Sequence, residues 1–349
     1  MKVFVSFSQR NLLYESISKT QVTSRELTGN ILHVWDVIDD ATIDNIFQEF
    51  GTPKYIFVDS MSQYNSSLDV DVYSVDAWLE AEILNWERNK LVVETSPVVT
   101  THIANFQINK KQINRFLAIK LCEIFSIDVN YTWSAVDKTF DLQHIVQENQ
   151  NLNDNNINKY WGQLLSPISK FERKWVNVHT DHDFSSSSVE DYGGNLEVWN
   201  AGLNDIMSST AVSIITESVW TQKCATFTEK TAFSVFALTF PIWVGGYNMA
   251  TEWKKKGFDT FDDIIDHSYE SMPTLLERCF YAIYLNLEIL TNIELTSALR
   301  NKHMDRLIKN RDMLTSENLK NYNRKVISTW PEELQQPALE SLHRYLELK

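Results

Sequence analysis

The residues best suited to chemistry lie between Ala211 and Tyr269. Thr216-Glu217 ends a β-branched run, Ala211 to Ile215, that reads as a buried strand. Thr228-Glu229-Lys230 precedes an apolar-periodic segment, Thr231 to Phe240, that reads as a helix. Pro241 is expected to stop that helix, and Ile242 to Val244 to form a second short buried strand ending at Gly245-Gly246. Strand, polar loop, helix, strand and glycine turn make one unit of a parallel α/β sheet. In open sheets of that kind ligands bind at the carboxyl ends of the strands. Thr216, Glu217, Gly245 and Gly246 fall at such ends, and the glycines permit close backbone approach. A helix start offers free N–H groups and the positive end of the dipole to an anion. Thr228 is the expected N-cap. Lys230 adds a point charge suited to a diphosphate, and Glu229 an acceptor for ribose or sugar hydroxyls.

The segment FTEKTAFSVFALTFPIWVGG, residues 227–246, resembles the donor-binding segment of the α1,3-fucosyltransferases. It is also similar to a group of phage-encoded glycosyltransferase-like proteins in which a Gly-Phe, Thr-Phe step and a Ser-Tyr pair follow. Here those are Gly257-Phe258, Thr260-Phe261 and Ser268-Tyr269. The resemblance covers this stretch of the chain, and 105–133 more weakly. It implies a GT-B fold: two Rossmann-like domains with parallel sheets facing across a cleft, the nucleotide-sugar held mostly by the C-terminal one. In these families a strand, a polar loop and an Arg on the next helix hold the donor's diphosphate, and Arg115 matches that Arg in order and setting. Its planar fork suits phosphate oxygens. The implied donor site is Arg115, Glu217, Phe227, Thr228, Glu229, Lys230, Gly245 and Gly246. Phe227 stands where the fucosyltransferases carry Tyr, which leaves the donor's identity open.

Composition limits the alternatives. The chain of 349 residues is 43% hydrophobic and 22% charged, enough for two medium α/β domains. No run of 18 apolar residues is present, and the MKVFVSFSQR start is strand-like rather than a signal peptide, so a cytoplasmic protein is expected. Cys122, Cys224 and Cys279 are scattered and odd in number, which argues for a reducing compartment without disulfides. The net charge of −14 opposes nucleic acid on average. One stretch runs against it: from Arg300 to Lys325 eight Lys/Arg face three Asp/Glu. That run reads as a solvated helix face or as a phosphate-facing patch. Absence of GxGxxG disfavours a nicotinamide dehydrogenase.

The elements that must position these residues follow in order. Strands are expected at Lys2–Phe7, Ile31–Ile38, Tyr55–Val58 and Leu91–Val93, with helices at Ala41–Phe50 and Ser74–Asn89. A second α/β set has strands at His102–Ile108 and Val129–Trp133 around a helix at Gln112–Phe125. Further helices are expected at Asn248–Lys256, Thr260–Ile265 and Met272–Leu290, then two in the tail, parted near Trp330-Pro331. The resulting domains are 1–95 on the acceptor side, 96–300 for the nucleotide-sugar, and C-terminal helices at 301–349 that can pack back on the first.

Transfer with inversion needs a carboxylate to take the acceptor's proton. Asp59, at a strand end, is the first choice and Asp36 the second. Asp69/Asp71 and Asp181/Asp183 have metal-binding DxD spacing without a clear preceding strand, and His179–Asp183 reads as a polar loop, so no metal site is assigned. The expected activity is a glycosyltransferase with a nucleotide-sugar as substrate and no cofactor. Its acceptor is a glycan or a hydroxymethylated base in phage DNA, with no membrane partner. The alternative is a non-catalytic nucleotide-binding or interaction module on a degenerate GT-B fold.

Overall fold

The structure is a computed structural model that describes residues 25–28, 31–34, 55–59, 71–89, 104–108, 113–133, 149, 152–166, 199–217, 225 and 227–347. It is a mixed α/β protein whose chain divides into two compact units, 1–89 with 315–349, and 90–314.

In the first unit the described strands are β1 (Arg25–Thr28), β2 (Ile31–Val34), β3 (Tyr55–Asp59) and β4 (Asp71–Val75). They form a sheet in that order, antiparallel between β1 and β2 and parallel thereafter. Helix α1 (Ala77–Arg88) is shorter than its sequence suggests, because Ser74 and Val75 belong to β4, paired with Val58 and Asp59. The alternation in Asp71–Val75 is a strand signal, and parallel pairing wins over the first turn of the helix. The expected elements at 2–7, 35–38, 41–50 and 91–93 lie outside the described residues.

The second unit carries β5 (Ala104–Ile108), α2 (Ile113–Ile124), β6 (Val129–Trp133), α3 (Asn155–Leu165), α4 (Asn204–Ser208), β7 (Val212–Ile215), α5 (Glu229–Phe236) and β8 (Phe240–Trp243). The four strands run parallel in the order β6-β5-β7-β8. β7 and β8 are buried throughout, as in a sheet covered on both faces, with Ser213 the one polar residue of the two strands.

Here the expected boundaries shift. Glu229 and Lys230 lie inside α5, which ends at Phe236 because Leu238 turns the chain at φ 56°. Pro241 does not stop the helix; it is the second residue of β8. Phe240 N–H donates to Ala211 O at 2.9 Å and Val244 N–H to Ile215 O at 2.8 Å. The alternation turns the nitrogen of Pro241 away from β7, toward the side where no described strand pairs, so no ladder bond is lost.

Beyond β8 come α6 (Met249–Lys255), α7 (Leu275–Tyr284), α8 (Leu287–Thr291), α9 (Ile293–Lys302) and α10 (Met304–Met313). Gly257 ends α6 at φ 99°. Residues 260–265 form turns rather than a helix, since Phe261 sits at φ 60° and its N–H donates to Asp259 Oδ1 at 2.8 Å. The helix expected over 272–290 starts at Leu275 and breaks before Leu287. Asn286 donates there to Asp266 O at 3.0 Å and accepts from Asp266 N–H at 2.9 Å.

The tail helices α11 (Ser316–Ile327) and α12 (Glu332–Glu347) belong to the first unit, and residues 301–314 to the second. Ile327, Trp330, Leu334, Ala338 and Leu342 bury against Phe57, Val75, Ala77 and Ala81. No described helix is long and apolar enough to cross a membrane.

Candidate functional site

The site grows from the crossover β7–α5–β8. β7 ends at Ile215, and the chain carries Thr216 and Glu217 past it, both buried. Thr228 caps α5 in extended conformation, its hydroxyl accepting from Lys230 N–H at 3.4 Å. Glu217 reaches across to that helix start. It accepts from Thr228 N–H at 3.0 Å, from the Thr231 hydroxyl at 2.6 Å and from the Thr228 hydroxyl. The carboxylate thus satisfies donors of a helix N-terminus that otherwise have no partner within the helix. The Thr231 hydroxyl also accepts from Trp243 Nε1 at 3.0 Å, which ties β8 to the same point.

Lys230 and Glu229 form a buried ion pair, with the Lys230 ammonium also donating to the Thr228 hydroxyl at 3.5 Å. Arg115 projects from the first turn of α2, is buried, and interacts electrostatically with Glu229 and Glu217. Two cations and two carboxylates therefore share one water-poor place at the carboxyl end of the sheet. Their formal charges cancel, which is how charges survive burial.

The electrostatics differ for each member. Burial pushes the Glu217 carboxyl up, against the pull of Lys230. Glu229 is buried too, yet the Lys230 charge and hydrogen bond outweigh that burial and hold it below the ordinary range. Burial lowers the Arg115 guanidinium, opposed by Glu229 and Glu217.

Other expected donor-site residues have different surroundings. Phe227 is packed in the core against Trp253 at 4.7 Å between ring centroids and Trp243 at 6.3 Å. Gly245 takes φ 93°, and the space of a side chain there is filled by Leu275, Asn114 and Cys279. At Gly246 the thioether of Met249 fills it. The need for both glycines is met by packing within the protein. Asp59 is the last residue of β3 in the first unit, and Asp36 lies outside the described residues. Asp71 is in β4, while Asp69 and 179–183 also lie outside them.

Three contributors were not singled out from sequence: Asn114, Thr231 and Trp243. Thr231 stands three residues after the N-cap, where Thr in place of Glu or Gln gives no capping-box signal. Asn114 precedes Arg115 and donates through Nδ2 to the main-chain oxygen of Glu217 at 3.1 Å. Its Oδ1 is buried and has no hydrogen-bond partner among the described residues.

A concavity of about 830 Å³ is lined by Lys254, Asp262, Asp266, His267 and Glu270 among others. Its charged groups are engaged locally: Lys254 with Asp262 at 2.6 Å, and Glu270 with Ala250 N–H at 2.7 Å.

Part of the basic run at 300–325 is buried or paired, while Lys302, Lys309, Arg324 and Lys325 are exposed. Arg300 is fully buried and donates to Leu238 O at 3.0 Å and Ser208 O at 2.7 Å. Arg306 is held by Asp259 at 2.7 Å and Asp263 at 2.8 Å, and Lys320 by Glu317 at 3.6 Å. The run also divides between the two units.

No protein-family model matches the chain, and no curated protein matches it.

Proposed function

We propose that the protein is a nucleotide-sugar-dependent glycosyltransferase of the GT-B type, with the donor at the Thr228-Glu229-Lys230 helix start. One observation carries the reading. The Thr-Glu-Lys tripeptide opens the crossover helix of a parallel β7–α5–β8 unit and shares a buried charge cluster with Arg115 and Glu217. Arg115 and Lys230 hold the diphosphate and stabilise the charge of the leaving nucleotide as the sugar's C1–O bond to phosphate breaks. The acceptor oxygen forms the new bond to C1 and gives its proton to a carboxylate. Entry of the diphosphate displaces the Glu229 carboxylate from Lys230 and frees it for a sugar hydroxyl.

A glycan acceptor fits better than duplex DNA, because Arg300 is buried and Arg306, Lys254 and Lys255 are neutralised locally, which leaves fewer cations for a DNA groove.

The test is a thermal-shift panel of UDP-, GDP-, CMP- and dTDP-sugars, run with and without EDTA. A donor at 100 times its Kd stabilises by about 2.7 kcal/mol. Lys230→Ala is expected to weaken the donor that scores by about 2–5 kcal/mol. Silence across the panel, or unchanged affinity in the variant, removes the assignment. Binding without transfer or slow hydrolysis establishes the non-catalytic module instead. Salt-sensitive capture of hydroxymethylated DNA reverses the choice of acceptor.

A further inference from the structure

We propose that Asn114 is a ligand-binding residue, its side-chain oxygen accepting a hydrogen bond from a sugar hydroxyl attached to the diphosphate. This rests on the donor-site reading above.

Asn114 lies in the first turn of α2, fully buried, next to Arg115. Its Nδ2 donates to Glu217 O at 3.1 Å. A main-chain carbonyl only accepts, so the amide is fixed with its nitrogen toward β7 and its oxygen on the opposite arm. That oxygen has no partner among the described residues. Buried polar atoms are nearly always satisfied, and an exception asks for an explanation.

The surroundings supply one. Asn114 stands at the start of a twelve-residue helix, where the dipole favours an anion. Arg115 and the Glu217, Glu229, Lys230 cluster adjoin it. Phosphate oxygens, however, are acceptors, and an orphaned acceptor gains nothing from them. The missing partner is a donor carried beside the anion, which describes a hydroxyl of the ribose or of the transferred sugar. Gly245 lets the amide occupy this place, since a Cβ there would lie 3.0 Å from that of Asn114.

Calorimetric titration of the full chain tests this with inorganic pyrophosphate, the best-scoring nucleoside diphosphate, its 2′-deoxy and 3′-deoxy analogues, and the matching nucleotide-sugar. In the native protein, losing the recognised hydroxyl is expected to cost roughly tenfold in Kd. Loss with a deoxy analogue identifies the ribose, and a gain on adding the sugar identifies the transferred group. In Asn114→Ala the same change costs nothing, while pyrophosphate binds as in the native protein. Equal losses in both proteins, or pyrophosphate weakened as much as the nucleotide, overturn the inference and leave the donor site standing. If Asn114→Ala does not fold, the native protein still decides: no effect from removing either ribose hydroxyl and none from adding the sugar overturns the proposal. Failure of the native protein to bind pyrophosphate or any nucleotide overturns the donor site itself, and this inference with it.

Discussion

Glu80 in the first unit and Glu217 in the second are both buried glutamates that join distant parts of the chain, yet their surroundings are opposite. Glu80 lies on α1 and accepts one amide hydrogen bond, from Asn323 Nδ2 on α11 at 2.7 Å. The same Asn323 accepts from Asp76 N–H at 3.1 Å and donates to Asp76 O at 3.2 Å, so one side chain stitches α11 to the start of α1. Lys320, Arg324 and Glu317 act on Glu80 through space without contact, and burial dominates, raising its carboxyl from 4.5 to about 7. Glu217 instead meets three donors from one helix start, with cations close by. The first arrangement fastens two helices and tolerates a neutral carboxyl. The second concentrates charge where a sheet of this type binds anions. Burial of a carboxylate is thus no mark of function; the donors and countercharges around it decide.

Five substitutions press on that comparison. The largest effect is expected from Glu217→Ala, which leaves three buried donors without their acceptor and unbalances the neighbouring cations. Denaturant midpoints should show a loss of about 3–5 kcal/mol. A loss under about 1 kcal/mol would show that α5 is positioned without this brace.

Glu80→Gln separates the two glutamates by pH. A folded-state pKa raised above the unfolded value means the native state binds the proton more tightly. The resulting stability is full below 4.5 and disappears as pH rises through about 7. The native protein should therefore lose on the order of 3 kcal/mol across that interval through this group. The glutamine variant, always neutral, should lack this component and be the more stable protein at pH 8. An unaltered pH profile would mean that Glu80 ionises freely.

Asn323→Ala removes the stitch itself and takes the Asn323 acceptor from the Asp76 amide. A cost of about 2 kcal/mol is expected. Hydrogen exchange should show faster exchange in α1 and α11 and no change in α5; faster exchange in α5 as well would end the contrast between the two regions.

The smallest effect comes from comparing two helix caps. Thr274 caps α7 in a reciprocal capping box with Glu277, and Thr274→Ala should cost about 1 kcal/mol. Thr228 caps α5 and also donates to Glu217, so Thr228→Ala should cost more. Equal costs would reduce Thr228 to an ordinary cap.

Local sequence carried much of this architecture. The β-branched run at 212–215, the amphipathic helices of the tail and the break at Trp330-Pro331 all follow from periodicity and from residues that cannot continue a helix. So does Thr228 as N-cap, a short-range bond between a hydroxyl and an N–H two residues on. What periodicity misplaced was decided by longer-range contacts. Pro241 reads as a helix stop until β7 is known to pair on only one side of its strand, and Ser74-Val75 reads as helix until β3 lies beside it.

The candidate site divides the same way. Which residues carry charge, and their order around the Thr-Glu-Lys helix, were legible in the chain. Their pairing was not: Glu217 meets a cap eleven residues away, and Asn114 meets Glu217 across 103. Nor could the composition of 300–325 reveal that Arg300 is an internal brace and Arg306 is neutralised by two aspartates. Sequence fixes which groups exist and which local structures they prefer, since those depend on neighbours within a few residues. Whether a charge faces solvent, a ligand or another charge depends on chain segments far away in sequence, and tertiary packing alone brings those together.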